Sequence, residues 1–190
     1  LEENTIIIFM SDNGAMQNWY PTTQYNGKYG PNAVLGSNLP LKDWKTSNYE
    51  GAIRVPAIVH WKRKLSPLVN ENYISIIDLM PTLLKLSGIN AIPETVEGKN
   101  IWNSIQNNDT LENTIYVRGH LQECIIQKPW KLIRTRHKNT ATAFELYDIE
   151  SDPEEKENVL EAQEKVFLKM KVLLEAEFAK DAKNVNGSIK

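Results

Sequence analysis

A short apolar run near the start of the chain ends abruptly at polar residues. Ile6 to Met10 are all apolar, and the next four residues are Ser-Asp-Asn-Gly, with Asp12 and Asn13 side by side. An uninterrupted apolar run of this kind predicts a strand that is buried on both faces of a mainly parallel sheet. Ligands of open α/β sheets collect at the carboxyl ends of the strands. We therefore expect a functional site at Asp12 and Asn13.

The middle of the chain predicts a second strand and a helix. Val55 to Trp61 is again apolar and reads as a buried strand. From Tyr73 to Leu86 the apolar residues recur at helical spacing, and Gly88 supplies a stop signal. Pro81 fits the first turn of that helix, and we expect the Asp78 carboxylate to brace the start of the helix.

The last two fifths of the chain predict a separate small sheet and a helix. Four short apolar pieces between residues 114 and 150 indicate an antiparallel sheet of about four strands. Residues 157–179 indicate a helix with one apolar stripe that packs against this sheet. The predicted organisation is an α/β portion over residues 1–110 and a small antiparallel-sheet and helix subdomain over residues 111–190.

The chemistry of Asp12 and Asn13 suits a hard cation. A carboxylate and an amide carbonyl are the oxygen donors that Ca²⁺ and Mg²⁺ prefer. Asp, Asn and Gly are also the commonest turn-forming residues. The short motif alone therefore leaves both a metal site and an ordinary turn open.

Composition excludes several classes of protein. The chain has 190 residues and a formal net charge of −2, and residues 1–144 carry 15 Lys+Arg against 12 Asp+Glu without a dense basic cluster, so we expect no nucleic-acid partner. No apolar segment approaches the roughly 20 residues that cross a bilayer, so we expect no membrane span. Cys124 is the single cysteine, which excludes an internal disulfide.

A longer motif carries the resemblance to a known family. The stretch Pro-Leu-Lys-Asp-Trp-Lys45-Thr-Ser-Asn-Tyr-Glu-Gly-Ala-Ile-Arg-Val-Pro56 follows the strand that ends in Asp-Asn-Gly. This arrangement resembles the C-terminal half of the sulfatase family, in the alkaline-phosphatase-like superfamily, whose pattern is Pro-Leu-Arg-x-x-Lys-x-x-x-x-Glu-Gly-Gly-x-Arg-x-Pro. Lys42 stands for the usual Arg, Asp43 and Trp44 replace small residues, and Ala52 replaces the second Gly of Glu-Gly-Gly.

The resemblance implies a fold and a reaction. The fold is the C-terminal part of an alkaline-phosphatase-like sandwich, and the reaction is hydrolysis of a sulfate ester with a formylglycine nucleophile and a divalent cation. By resemblance, Asp12 and Asn13 supply part of the cation's shell, with Ca²⁺ expected before Mg²⁺, and Lys45 contacts the sulfate group. Glu50 and Arg54 are expected to form a structural ion pair or loop brace.

The resemblance also implies that part of the active site lies elsewhere. The family's nucleophile arises from a Cys or Ser in a Cys/Ser-x-Pro-x-Arg motif, whereas Cys124 lies in Glu-Cys-Ile-Ile-Gln. We therefore expect the formylglycine to come from an N-terminal portion of the same enzyme, and the chain alone to be inactive. The family further implies a secreted, periplasmic or lysosomal location.

Four residues are weaker candidates for binding a sulfated small molecule or glycan. Trp19 and Tyr20 lie in an Asn-, Gly- and Tyr-rich stretch and can stack on a sugar or aryl group, or on neighbouring rings. Arg118 and His120 fall in the predicted small sheet, which borders the substrate cleft in this family, although a neutral surface histidine is the alternative.

Two other functions remain open at this point. A phosphatase or phosphodiester hydrolase of the same superfamily also uses an Asp at a strand end, but these enzymes usually use two metals with additional His ligands. The chain has three His, none in an Asp-x-x-x-His pairing, which favours the sulfatase. The second alternative is a non-catalytic glycan- or protein-binding module.

Overall fold

A computed structural model describes residues 1–16, 26, 36–119, 121–136 and 141–180. The predicted substrate residues Trp19, Tyr20 and His120 lie outside these ranges. The strands are β1 (Ile6–Met10), β2 (Ala57–Trp61), β3 (Ile115–Arg118), β4 (Gln122–Gln127), β5 (Trp130–Thr135) and β6 (Ala143–Asp148). The α-helices are α1 (Glu50–Ile53), α2 (Leu79–Leu86), α3 (Trp102–Asn107) and α4 (Glu164–Ala179), with 3₁₀ turns at Glu2–Asn4 and Ile76–Asp78.

The chain folds into two compact units. Unit 1 contains Leu1–Asp12 and Val55–Ile115, and unit 2 contains Asn13–Arg54 and Tyr116–Lys190. The sequence-based division at residue 110 stays a prediction. No helix in the described part of the chain is long and apolar enough to cross a membrane.

In unit 1, β1 pairs with β2 in antiparallel register, with Ile8 opposite Val59. Ile7 and Phe9 are 56% and 68% exposed, because they point to a face that none of the described residues covers. Burial on both faces of β1 was therefore wrong for this chain. Within the described residues β1 has one neighbouring strand and shows alternate burial.

Helix α2 of unit 1 follows the predicted pattern. A 3₁₀ turn leads into α2, Pro81 is its third residue, and Gly88 lies just beyond the end with φ of 83°. Asp78 is buried, and its carboxylate accepts hydrogen bonds from the backbone N–H groups of Ser75 and Lys99 and from the side chain of Asn113. The predicted bracing role of Asp78 is confirmed.

Unit 2 contains the predicted four-stranded sheet. The strand order is β3-β4-β5-β6, and β5 pairs antiparallel with both β4 and β6. One face packs on α4 around fully buried apolar side chains from the strands and the helix, namely Ile125, Leu132, Leu146, Met170 and Leu174. Burial of this apolar surface is the main force that holds the sheet and helix together.

Helix α4 begins at Glu164, seven residues later than predicted. Asn158 explains the difference, because its side-chain oxygen accepts hydrogen bonds from the backbone N–H groups of Leu146 and Leu160. The N–H of Val159 also donates to the carbonyl of Leu146. These bonds hold residues 158–160 along β6 and delay the helix.

Candidate functional site

The residues after β1 are hydrogen-bonded to the loop that carries Lys45. In unit 2, the N–H of Gly14 donates to the carbonyl of Ala52 (2.8 Å), and the N–H of Lys45 donates to the carbonyl of Ala15 (2.9 Å). Asn13 directly precedes this bonded pair of residues. The structure thus brings the strand-end segment and the predicted sulfate-binding lysine together, although they are about thirty residues apart in the sequence. Lys45 is exposed.

Two glycines allow the backbones to come this close. A Cβ on Gly14 would lie 1.8 Å from the carbonyl oxygen of Gly51, and a Cβ on Gly51 would lie 2.5 Å from the carbonyl oxygens of both Lys42 and Asp43. Real Cβ atoms do not approach other atoms so closely. Glycine is therefore required at both positions by close backbone approach, which accounts physically for the Gly of Asp-Asn-Gly and of Glu-Gly.

Asn38 is a brace that the sequence analysis missed. Its side-chain oxygen accepts from the N–H of Ala15 (2.7 Å), and its amide nitrogen donates to the carbonyls of Ala15 (3.2 Å) and Asp43 (3.0 Å). One side chain therefore bonds both the segment after β1 and the lysine loop. No sequence pattern indicated this role, because Asn in a loop is common.

The loop holds Lys45 between two residues with left-handed backbone conformations. Asp43 has φ of 66° and Thr46 has φ of 89°. Asp tolerates this region, whereas a β-branched residue such as Thr rarely adopts it. The hydroxyl of Ser47 donates to the carbonyl of Trp44 and closes the turn around Lys45.

A buried charged cluster lies at the end of the loop. The Lys131 ammonium, from β5, is 2.9 Å from Glu50 Oε1 and 2.8 Å from Glu155 Oε1. All three side chains are at least 96% buried. Burial on its own lowers the pKa of Lys131, but Cys124, Glu50 and Glu155 outweigh it and raise that pKa, so the ammonium stays charged. Arg54 lies 3.8 Å from Glu50 Oε2, consistent with the predicted ion pair.

Lys42, which stands where the family pattern has Arg, is part of the scaffold. Its ammonium donates to the hydroxyl of Tyr147 and to the carbonyl of Glu155, both at 3.0 Å. It also lies 4.3 Å from the ring centroid of Tyr49 and 4.9 Å from that of Tyr147. These contacts commit Lys42 to holding the start of the loop.

Two tyrosine hydroxyls share one carboxylate beside Lys42. Tyr49 donates to Glu145 Oε2 (2.6 Å), and Tyr147 donates to Glu145 Oε1 (2.8 Å). Burial, followed by the hydrogen bond and negative charge of Glu145, raises the pKa of both tyrosines well above the ordinary value of 10.0. The pair therefore stays protonated in the folded protein at neutral pH.

Arg118, a predicted substrate residue, is the last residue of β3. Its guanidinium carbon lies 5.5 Å from the ring centroid of Phe178, which Arg134 and Arg136 also approach, at 5.0 Å and 4.2 Å. The structure thus places Arg118 in a group of arginines around the end of α4. Its role in binding substrate stays a prediction.

The donors present match part of a cation shell. Within the described ranges, no group of three or more His, Cys, Asp or Glu side chains forms a metal site. The carboxylate of Asp12 and the side-chain carbonyl of Asn13 are two hard oxygen donors, whereas Ca²⁺ takes six to eight. These two residues fit such a cation chemically and would supply a minority of its ligands.

We expect Gly14→Ala to break the contact between the segment that follows β1 and helix α1. The new methyl group would overlap the carbonyl of Gly51, so the free energy of unfolding should fall by about 2–3 kcal/mol. Gly36→Ala is the matched control, because among the described residues its Cβ would meet only the Ala15 side chain, at 3.0 Å. Urea unfolding of both variants measures the difference, and equal losses would contradict the close-approach explanation.

We also expect the protein to lose stability in alkali. The folded state holds the hydroxyl protons of Tyr49 and Tyr147 more tightly than the unfolded chain, so their stabilisation is complete below pH 10 and is lost as pH rises towards their raised pKa values. Urea unfolding at fixed pH between about 8 and 12 should show this fall. In Tyr49→Phe and Tyr147→Phe the fall should be shallower than in the unchanged protein, and an equal fall would contradict the role of the two hydroxyls.

The chain is similar in sequence to sulfatases. Residues 1–89 match the family model described as Sulfatase. The chain is 28% identical over 198 residues to the N-acetylgalactosamine-6-O-sulfatase of Bacteroides thetaiotaomicron, and the match covers 93% of this chain and 37% of that protein.

Solved structures show the same relationship. A structure from work on the metabolism of multiple glycosaminoglycans by Bacteroides thetaiotaomicron matches with a TM-score of 0.75 and 26% identity, covering 94% of this chain and 40% of the other. The structure of Ps i-CgsB in complex with k-i-k-neocarrahexaose matches with a TM-score of 0.67 and 27% identity, covering 93% and 37%. The chain spans about two fifths of the length of these relatives. The predicted α/β fold of the alkaline-phosphatase-like class is confirmed, and so is the resemblance of this chain to the sulfatase family.

Proposed function

We propose that this chain is the C-terminal part of an enzyme that hydrolyses sulfate esters, and that it contributes the sulfate-binding lysine and part of a cation site. The observation that carries the proposal is the hydrogen-bonded contact between the Asn13–Ala15 segment and the Lys45 loop. This contact supports the proposal, because it joins the segment of Asn13, a proposed cation ligand, to the loop of Lys45, the proposed sulfate ligand, within unit 2.

Lys45 is the proposed sulfate ligand. An ammonium group is a compact point charge with three donors, which suits the oxygens of a sulfate group. A fixed positive charge stabilises negative charge that develops on these oxygens as the S–O bond breaks. The exposed position of Lys45 leaves the ammonium open to an incoming ester.

Asp12 and Asn13 are the proposed cation ligands, and Ca²⁺ is the proposed ion. A bound divalent cation supplies Lewis-acid polarisation of the sulfate oxygens. Ca²⁺ fits better than Mg²⁺, because it accepts carboxylate and amide oxygens in a flexible shell, whereas Mg²⁺ demands near-ideal octahedral geometry and keeps several waters.

The remaining parts of the active site are proposed to come from an N-terminal portion of the same enzyme, including the residue that becomes formylglycine. The relatives are more than twice as long as this chain. In unit 1, Ile7, Phe9 and Ile58 are more than half exposed on the paired strands β1 and β2. An apolar surface of this kind is typical of one that another part of a protein covers.

A sulfated glycan or an aryl sulfate is the proposed substrate. The names of the relatives support the glycan, since one acts on N-acetylgalactosamine-6-O-sulfate groups and another was solved with k-i-k-neocarrahexaose. Arg118, Trp19, Tyr20 and His120 stay proposed substrate contacts. A secreted, periplasmic or lysosomal location is proposed from the family.

We expect the chain alone to show no sulfatase turnover with 4-methylumbelliferyl sulfate. The parent enzyme, meaning the polypeptide in which this chain follows the proposed N-terminal portion, should hydrolyse this ester, because only it holds the nucleophile. A phosphate ester with the same leaving group is the control for a phosphatase. Turnover by the chain alone, or faster turnover of the phosphate by the parent, would contradict the proposal.

In the parent enzyme, we expect Asp12→Asn to weaken Ca²⁺ binding by at least tenfold, because a charged ligand is replaced by a neutral one. Lys45→Ala should leave Ca²⁺ binding unchanged and should lower kcat/KM by about 100-fold or more, the size of effect found when one charge-stabilising group is removed. Calorimetry with Ca²⁺ and steady-state kinetics measure the two effects. Lys64→Ala, the loss of an exposed lysine in unit 1, is the control. Unchanged binding and kinetics in both site variants would reduce Asp12-Asn13-Gly14 to an ordinary turn.

A further inference from the structure

Glu155 touches both ends of the segment that carries Lys45. Its carboxylate accepts a hydrogen bond from the backbone N–H of Glu50 (2.6 Å), at the end of the loop. Its own carbonyl accepts a hydrogen bond from the ammonium of Lys42 (3.0 Å), at the start of the loop. The two ends of residues 42–50 are therefore bonded to one residue that is more than one hundred positions further along the chain.

Glu155 is itself held in place. It is fully buried, its backbone has φ of 53°, and its N–H donates to the carbonyl of Asp152. Its carboxylate lies 2.8 Å from the buried ammonium of Lys131, on the central part of the four-stranded sheet. The loop is thus connected through Glu155 to the four-stranded sheet of unit 2.

We propose that Glu155, with Lys131 and Lys42, is a positioning group that sets the geometry of Lys45 for binding sulfate. The inference rests on the proposed function of Lys45. Neither Glu155 nor Lys131 reaches the substrate in this scheme. They act because Lys45 lies between the two bonded ends, and its N–H donates to the carbonyl of Ala15, two residues after the proposed cation ligand Asn13.

The charges around Lys131 support a positioning role for Glu155 in addition to its packing. The cluster places two carboxylates, Glu50 and Glu155, around one buried ammonium, and Lys42 and Arg54 add positive charge at its border. Without the charge of Glu155, the ammonium of Lys131 would lose one of its two anionic partners. The N–H of Glu50 would then face a weaker acceptor, and the end of the loop would move.

The test is the parent enzyme with Glu155→Gln, compared with Glu123→Gln. Glu123 is a matched control, because it is equally buried in unit 2 and its ion partners are Arg134 (2.6 Å) and Arg136 (2.7 Å), which lie outside the loop. Both variants should lower the thermal midpoint. At a temperature well below both midpoints, Glu155→Gln alone should raise the inhibition constant of inorganic sulfate and lower kcat/KM for 4-methylumbelliferyl sulfate, each by about tenfold or more.

A second pair of variants tests the proposal if Glu155→Gln fails to fold. Lys42→Met removes the hydrogen bond between the Lys42 ammonium and the Glu155 carbonyl, and the Lys42 side chain is only partly buried. Lys42→Arg keeps a cation that can still donate to the Glu155 carbonyl. We expect Lys42→Met to weaken sulfate inhibition by about tenfold and Lys42→Arg to restore most of it. Lys128→Met, which loses an ion pair with Glu150, is the surface control.

Lys45→Ala separates the two levels of the proposal. If Lys45→Ala abolishes sulfate inhibition while Glu155→Gln and Lys42→Met change only the thermal midpoint, the positioning role is wrong and the proposed function stands. If Lys45→Ala leaves inhibition unchanged, the proposed sulfate-binding role of Lys45 is wrong, and the inference fails with it. Equal effects of Glu155→Gln and Glu123→Gln on sulfate inhibition would also overturn the positioning role.

Discussion

The ammonium of Lys131 between the carboxylates of Glu50 and Glu155 is the interaction on which unit 2 depends most. It joins three segments that are far apart in the sequence: helix α1 after the lysine loop, strand β5, and the turn before α4. Taking these charges out of water is expensive, and breaking a buried pair by removing one partner costs roughly 3–5 kcal/mol. A cluster in which each buried charge has a partner of opposite sign defines one arrangement of the three segments, since the alternatives leave a buried charge without a partner.

The glycine contacts impose a second constraint that acts on the same loop. Gly14 contacts Gly51, and Gly51 contacts the backbone of Lys42, so the segment from Asn13 to Ala15, the start of α1 and the start of the loop lie close together in unit 2. The buried cluster fixes where α1 lies, and the glycines then determine how closely the strand end approaches it. Together they explain why a polar segment with little secondary structure of its own can hold a defined shape. Lys45 needs such a frame, because a flexible lysine side chain alone gives little orientation.

The sequence predicted those parts of the fold that depend on local pattern. The four strands of unit 2 and the end of α2 shortly before Gly88 follow from short apolar pieces, helical spacing and a stop signal, all of which act over a few residues. The predicted start of α4 was wrong. Asn158 accepts a hydrogen bond from the backbone of Leu146 in β6, and the two residues are twelve positions apart in the sequence. Exposure of Ile7 and Phe9 was also not predictable from the apolar run, because burial depends on neighbours that the run does not contain.

The candidate site divides in the same way. Lys45, Asp12 and Asn13 are proposed from motifs, since residues that bind a ligand are constrained in type and spacing. Asn38, Lys131 and Glu155 were missed, because their function is to hold the backbone and their partners lie 23 to 113 residues away. A loop can be braced by many residue types from many places, so no short motif marks the brace. The residues that orient a site are therefore the ones for which the three-dimensional structure adds most, and Glu155 is the clearest case in this chain because it contacts the loop at both ends.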